Sequence, residues 1–228
     1  MNDTTDRQGE FDTPAAVTRS MLGWGVVAGV FYLVVGIVLG LTRDGFDFGE
    51  HQLSLLMLGH LGWAQATNLI LSGAMAAVAG WGFIRAMRPS RAAGWGGGLV
   101  AAYGACLIVG GSFPPDPMGG FPPGAKATGP SAHGMVHLAS GGIGFLLIAS
   151  AALVVAAWQA RNGARGWAAY SRLSAVVVIV GFLGGAALSS NLAGIVGLWA
   201  TVVVAWAWLA ATSVHLYRTV PRPDRFLR

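Results

Sequence analysis

Three residues have types and spacing suited to chemistry. His133 and His137 stand four residues apart at the start of an apolar segment, and Asp116 precedes them in a proline-rich stretch. A spacing of four puts both imidazoles on one face of a helix. With the carboxylate they could bind a divalent metal, zinc or iron. The same trio could instead move protons near neutral pH, or simply hydrogen-bond the proline-rich stretch and cap the helix.

Further polar residues are expected on the same side as this trio. Spacings of three and four put Gln65, Asn68 and Ser72 on one helical face that points into the protein. They would either line a polar cavity or hydrogen-bond between helices. The candidate substrate-binding residues are therefore His60, Gln65, Asn68, Ser140 and Asn191.

The elements that must position these residues are membrane-spanning helices. The chain of 228 residues is 54% hydrophobic and 10% charged, whereas a soluble domain carries roughly 25% charged residues. Its apolar residues come in continuous runs, which favours helices over barrel strands. The runs predict an all-α bundle of six spans at about residues 21–41, 61–87, 95–113, 133–158, 173–189 and 192–217.

The basic residues indicate the orientation of these spans. With six spans, twelve of the fourteen Lys and Arg residues fall on one side, and only Arg43 and Lys126 fall on the other. We expect the protein in the inner (cytoplasmic) membrane, and the positive-inside rule then places both termini in the cytoplasm. The domain prediction is a polar tail over residues 1–20, a membrane domain over 21–217 and a basic tail over 218–228.

The same composition narrows the partners. The net charge of +5 lies in short loops between apolar runs, so nucleic acid is not expected as a partner. Cys106 is the single cysteine, which leaves no disulfide within one chain. Glycine pairs such as Gly25 and Gly29 have the spacing that lets helices approach closely. These faces would pack the six helices together or join copies into a homo-oligomer.

Two long connections lie on the less basic side. Residues 43–63 mix acids and histidines with large apolar residues, which predicts an amphipathic segment in the membrane interface. Such a segment could cap the bundle, form a lid or be a plain interfacial connector. Residues 111–137 hold six of the ten prolines, so they are expected to form a shaped loop rather than a helix throughout.

Three pieces of the chain resemble a bacterial membrane family called domain of unknown function 998. They are residues 52–73, 110–120 and 131–145, which include GGSFPPDPMGG and SAHGMVHLASGGIGF. The resemblance covers about residues 20–215 and implies six spans, a Phe-Pro-x-Asp-Pro loop and a following histidine-bearing helix. It carries over to these residues: Phe113, Pro114, Asp116, Pro117, His133 and His137. The family implies an architecture and no activity.

Two functions remain open. The first is a small membrane enzyme, hydrolase-like, that acts on a lipid or another apolar molecule at an extracytoplasmic Asp/His site. The second is a non-catalytic transporter or channel component, or a membrane protein that binds a ligand or a partner. The absence of Asp, Glu or Lys from the middle of any span argues against a proton pump.

Overall fold

Six long α-helices make up the part of the protein that the structure describes. A computed structural model describes residues 11–125 and 129–223, and within them it contains no β-strand. All six helices are long and apolar enough to cross a membrane, which confirms a six-helix integral membrane protein. They are α1 (Thr13–Thr42), α2 (Gly62–Ala86), α3 (Arg91–Ser112), α4 (Ala132–Arg161), α5 (Arg165–Ala187) and α6 (Leu192–Thr219).

The first helix begins earlier than hydropathy alone predicts. Asp12 accepts a hydrogen bond from the backbone N–H of Ala15 at 2.9 Å, and Pro14 stands in the first turn. Both features favour a helix start at this point. The polar segment up to residue 20 therefore joins α1 in part, because capping and not apolar content decides where the helix begins.

The helices form a ring in chain order. Each helix packs against the next one in the sequence, and α6 closes the ring against α1. Large aromatic side chains fill the centre. The ring of Trp206 lies 5.3 Å from that of Tyr32 and 5.8 Å from that of Tyr103, so α6 meets both α1 and α3 in the core.

Glycines set the closest contacts between the helices. Gly25 faces Ser213 of α6, and Gly185 faces the backbone of Gly194. Two helix backbones come closest between α2 and α3, where a Cβ on Gly97 would overlap the carbonyl oxygen of Gly80. The predicted small-residue packing is thus used between helices of the same subunit.

The two ends of the ring carry opposite charge. Within the described residues, nine arginines lie at one end with Asp12 as the only acid there, and we call this the basic end. The opposite end, the loop end, carries Arg43 together with four acids: Asp44, Asp47, Glu50 and Asp116. The charge count from sequence also used Arg7, Lys126, Arg225 and Arg228, which lie outside the described residues.

The connection between α1 and α2 caps the ring at the loop end. Its short 3₁₀ helix, Leu53–Met57, buries Leu53, Leu55, Leu56 and Met57 inside the protein. Leu53 packs on Gly36 of α1, and the ring of Phe48 packs on Gly40. Among the arrangements expected from sequence (cap, lid or plain connector), the structure shows a cap, because the apolar side chains of this segment are turned into the bundle.

Candidate ligand-binding site

A cavity of about 370 Å³ lies inside the ring, towards the loop end. All six of the described helices line it, α1 and α2 through one residue each, and both long connections close it at the loop end. Most of its wall is apolar. The polar side chains on the wall are few, and they include Gln52, Ser54, Asp116, His137 and Ser140. Apolar walls with a few placed polar groups are typical of small-molecule sites.

His137 is the most constrained polar group on this wall. Its Nδ1 lies 2.9 Å from the carbonyl oxygens of both Gly110 and Phe113, which end α3. Carbonyl oxygens only accept hydrogen bonds, so Nδ1 carries the proton and donates it. In the neutral ring the lone pair is then on Nε2. The imidazole has a fixed orientation, and its Nε2 makes no hydrogen bond to the described residues, so this nitrogen can act as a base or a ligand.

Asp116 organises the start of α4. Its carboxylate accepts a hydrogen bond from the backbone N–H of Ser131 at 3.0 Å and lies against Gly134, where a Cβ would overlap Oδ2. Hydrogen bonds from the Ser131 hydroxyl and N–H hold the pKa of Asp116 below its usual value, with a smaller lowering from nearby His133 and a partial opposing effect of desolvation. Asp116 thus stays ionised and tethers the helix that carries His137.

His133 lies apart from the cavity. It is exposed, and its ring packs in a tilted arrangement against that of Phe113, with 5.8 Å between the ring centroids. No hydrogen bond joins Asp116 to His133 or His137 among the described residues, which also contain no group of three or more His, Cys, Asp or Glu placed to bind a metal. The trio expected from sequence is close in space but only His137 and Asp116 reach the cavity. A bound metal stays a prediction.

The polar residues of α2 form their own network behind the cavity. Gln65 and Asn68 are each 1% exposed. The Asn68 amide donates to the backbone oxygen of Tyr32 and to Gln65 Oε1, both at 3.1 Å, and Ser72 donates to Asn68 at 3.5 Å. The expectation that these residues point into the bundle is confirmed. They hydrogen-bond between α1 and α2 and do not line the cavity.

The remaining candidates have separate places. Ser140 lines the cavity, and its hydroxyl donates to the His137 backbone oxygen at 2.8 Å. His60 is exposed just before α2. Asn191 caps α6 by accepting from the Gly194 N–H at 3.2 Å. Of the five residues predicted to bind substrate, Ser140 lies on the cavity wall and the other four do not.

The structure also identifies cavity residues that sequence reasoning missed. Leu138 lines the cavity although 66% of its surface is exposed on the outside of the ring. Gly141 of α4 and the exposed Ala186 of α5 line the same side, and Phe145 and Phe182 pair across the two helices at 5.3 Å. Small and exposed side chains in the wall indicate that the cavity opens to the outside of the ring between α4 and α5. Its interior also contains Cys106 of α3.

Comparison with known proteins gives the family. The family described as Protein of unknown function (DUF998) matches residues 26–215, which include all six helices in whole or in large part. The chain therefore belongs to this family, as its motifs suggested. Neither the curated proteins nor the solved structures contain a match to it.

Proposed function

We propose that this DUF998 protein binds a lipid-like molecule in the loop-end cavity and acts on it as a small membrane enzyme. The observation that carries the proposal is the position of His137, an oriented imidazole in the wall of an otherwise apolar cavity. An apolar chain would lie along the wall, and its polar group would lie at His137. By the positive-inside rule, the loop end would face away from the cytoplasm.

The route into the cavity supports an apolar ligand taken from the bilayer. Leu138, Gly141 and Ala186 border the cavity on the lipid-facing side of α4 and α5. At the loop end, the cap formed by residues Leu53–Met57 and the proline-rich connection cover the cavity. A molecule already dissolved in the membrane would enter between the two helices without crossing the polar cap.

The proposed reaction is hydrolysis of an ester or amide bond. Nε2 of His137 takes a proton from a water molecule, and the hydroxide oxygen bonds to the carbonyl carbon. The same Nε2 then returns the proton to the leaving group as its bond to that carbon breaks. Asp116 acts as a positioning residue, because it fixes the start of the helix that carries His137.

Turnover of lipids by the protein reconstituted in vesicles tests the catalytic part. Replacing His137 with Gln should lower the rate by about 10²–10⁴-fold, the range for loss of a general acid–base group. His215 is a matched control, because it stacks on Trp167 at the basic end, 4.4 Å between ring centroids, far from the cavity. Equal rates in the wild type and His137→Gln would refute a catalytic role.

A second function, non-catalytic binding or transport of the same class of molecule, has one specific observation in its favour. The carboxylate of Asp116 is hydrogen-bonded to Ser131, so among the described residues of the cavity His137 has no free carboxylate as a partner. Ligand that co-purifies with the protein unchanged, and is lost in a variant with a blocked cavity, would support this function over the enzyme.

Cys106 reports on the binding part independently of any reaction. It is the single cysteine of the chain and lines the cavity while partly exposed. In membranes, a maleimide with a long alkyl chain should modify Cys106 faster than a charged thiol reagent that cannot enter the bilayer. Faster modification by the charged reagent would mean that the cavity opens to water, and the proposed lipid-like ligand would be wrong.

A further inference from the structure

A second cleft, of about 380 Å³, lies at the basic end, far from the cavity just described. The first turns of α1, the last turn of α2 and the residues that end α6 form its walls. Its ionisable side chains are Arg85, Arg88 and Asp12. Because it lies where three spanning helices end, the cleft is at the depth of the lipid headgroups.

Hydrogen bonds hold Arg85 in place in this cleft. Its Nε donates to the Thr18 hydroxyl at 2.9 Å, and its Nη2 donates to the backbone oxygen of Pro14 at 3.2 Å. These bonds fix the plane of the guanidinium and commit one edge of it. The Nη1 donors make no hydrogen bond to the described residues, so the charged group is oriented and still able to bind an anion.

The charge around the cleft is strongly positive. Arg88 is exposed and has no hydrogen-bond partner among the described side chains and backbone groups. The carboxylate of Asp12 would repel a bound anion, but one of its oxygens already caps α1 by accepting a hydrogen bond from the Ala15 N–H. It is also the only acid among the described residues of an end that carries nine arginines.

We infer that this cleft binds the phosphate group of an anionic membrane lipid. Guanidinium groups bind phosphate oxygens through paired, charge-assisted hydrogen bonds, and a pair of arginines at helix ends is suited to a headgroup. The acyl chains of such a lipid would lie on the exposed apolar surface of the helices above the cleft. The inference is independent of the reaction proposed at the loop end.

Lipid binding to the delipidated protein in detergent, measured by native mass spectrometry, tests this site. Phosphatidylglycerol should bind more tightly than phosphatidylcholine. Arg88→Gln should weaken phosphatidylglycerol binding by about tenfold, the loss expected for one charged hydrogen-bonded contact. Arg91→Gln removes the same charge from an exposed residue at the start of α3, outside the cleft, and should change binding by less than about twofold.

Each outcome decides the inference. Equal losses in Arg88→Gln and Arg91→Gln would show that only the diffuse positive charge of this end attracts the lipid, and would overturn the site. Displacement of the lipid by millimolar inorganic phosphate would show a site for the free anion and not for a headgroup. Arg85→Lys keeps the charge but loses the paired geometry, so it should weaken binding while leaving the helices intact.

Discussion

The imidazole of His51 joins the two long connections at the loop end. Its Nε2 lies 3.0 Å from the backbone oxygen of Gly119, and its Nδ1 accepts from the Asp47 N–H at 2.9 Å. Because one nitrogen accepts and the other faces a carbonyl, the ring has a single tautomer with the proton on Nε2. His51 is only 3% exposed, and its own backbone oxygen accepts from Trp199 of the cavity wall at 3.3 Å.

Replacing His51 with Ala should therefore destabilise the whole cap. Two partly buried hydrogen bonds are lost and leave the Asp47 N–H and the Gly119 oxygen without this partner, at a cost of about 1–3 kcal/mol for each group that stays buried. The measurement is thermal unfolding in detergent, with His60→Ala as the control because His60 is exposed. An unchanged midpoint in His51→Ala would show that the cap does not depend on this link.

Substitution of Gly97 tests the close packing of α2 and α3. A Cβ at Gly97 would meet the backbone of α2 at Gly80 and Ile84, whereas a Cβ at the neighbouring Gly98 has nothing within 4 Å. Gly97→Ala should lower the free energy of unfolding by about 1–3 kcal/mol, since backbone atoms cannot move aside easily. Gly98→Ala should be neutral or slightly stabilising. Equal effects of the two alanines would contradict the backbone contact.

Protonation of Asp116 should lower the stability of the folded protein at acidic pH. Its pKa is lowered in the folded protein by the hydrogen bonds from Ser131. A carboxyl group whose pKa is lower in the folded protein stabilises the fold at pH values above its unfolded-state pKa of about 3.9. This stabilisation is lost as the pH falls through the folded-state pKa. Asp116→Asn should remove that part of the pH dependence below about pH 4. Identical unfolding curves of wild type and variant from pH 6 to pH 3 would contradict it.

Narrowing the side of the cavity should slow entry from the bilayer. Gly141 lines the cavity and a Cβ there has nothing within 4 Å, so Gly141→Leu adds bulk to the opening without a clash at the first carbon. Gly184 of α5 has the same free space but does not line the cavity. Alkyl-maleimide modification of Cys106 should slow several-fold in Gly141→Leu and stay unchanged in Gly184→Leu. Equal rates would place the entrance elsewhere.

Sequence predicts the architecture of this protein well because hydropathy and arginine placement act on whole segments. It predicts the site less well, and the two histidines show why. His133 and His137 share a helical face, as their spacing requires, but the spacing of four residues displaces His133 by about 6 Å along the helix axis. That displacement carries it past the cavity to the surface beside Phe113.

The apolar part of the cavity could not be predicted from sequence. Leu138 and Phe145 have the same chemical character whether they meet lipid, another helix or a bound molecule. Only the arrangement of α4 and α5 distinguishes these surroundings. In the same way, Gln65 and Asn68 point inward as expected, but whether they meet a ligand or each other depends on side-chain positions that spacing does not determine.

The closed ring also constrains how the protein is made. Gly25 and Gly29 of α1 pack against Ser213 and Trp206 of α6, the last of the described helices in chain order. Arg19 donates to the Val220 backbone oxygen at 2.9 Å and completes the seam. Until α6 has entered the bilayer, α1 must stay there with this face covered by lipid or by an insertion chaperone. Chains truncated before α6 would therefore present an open seam.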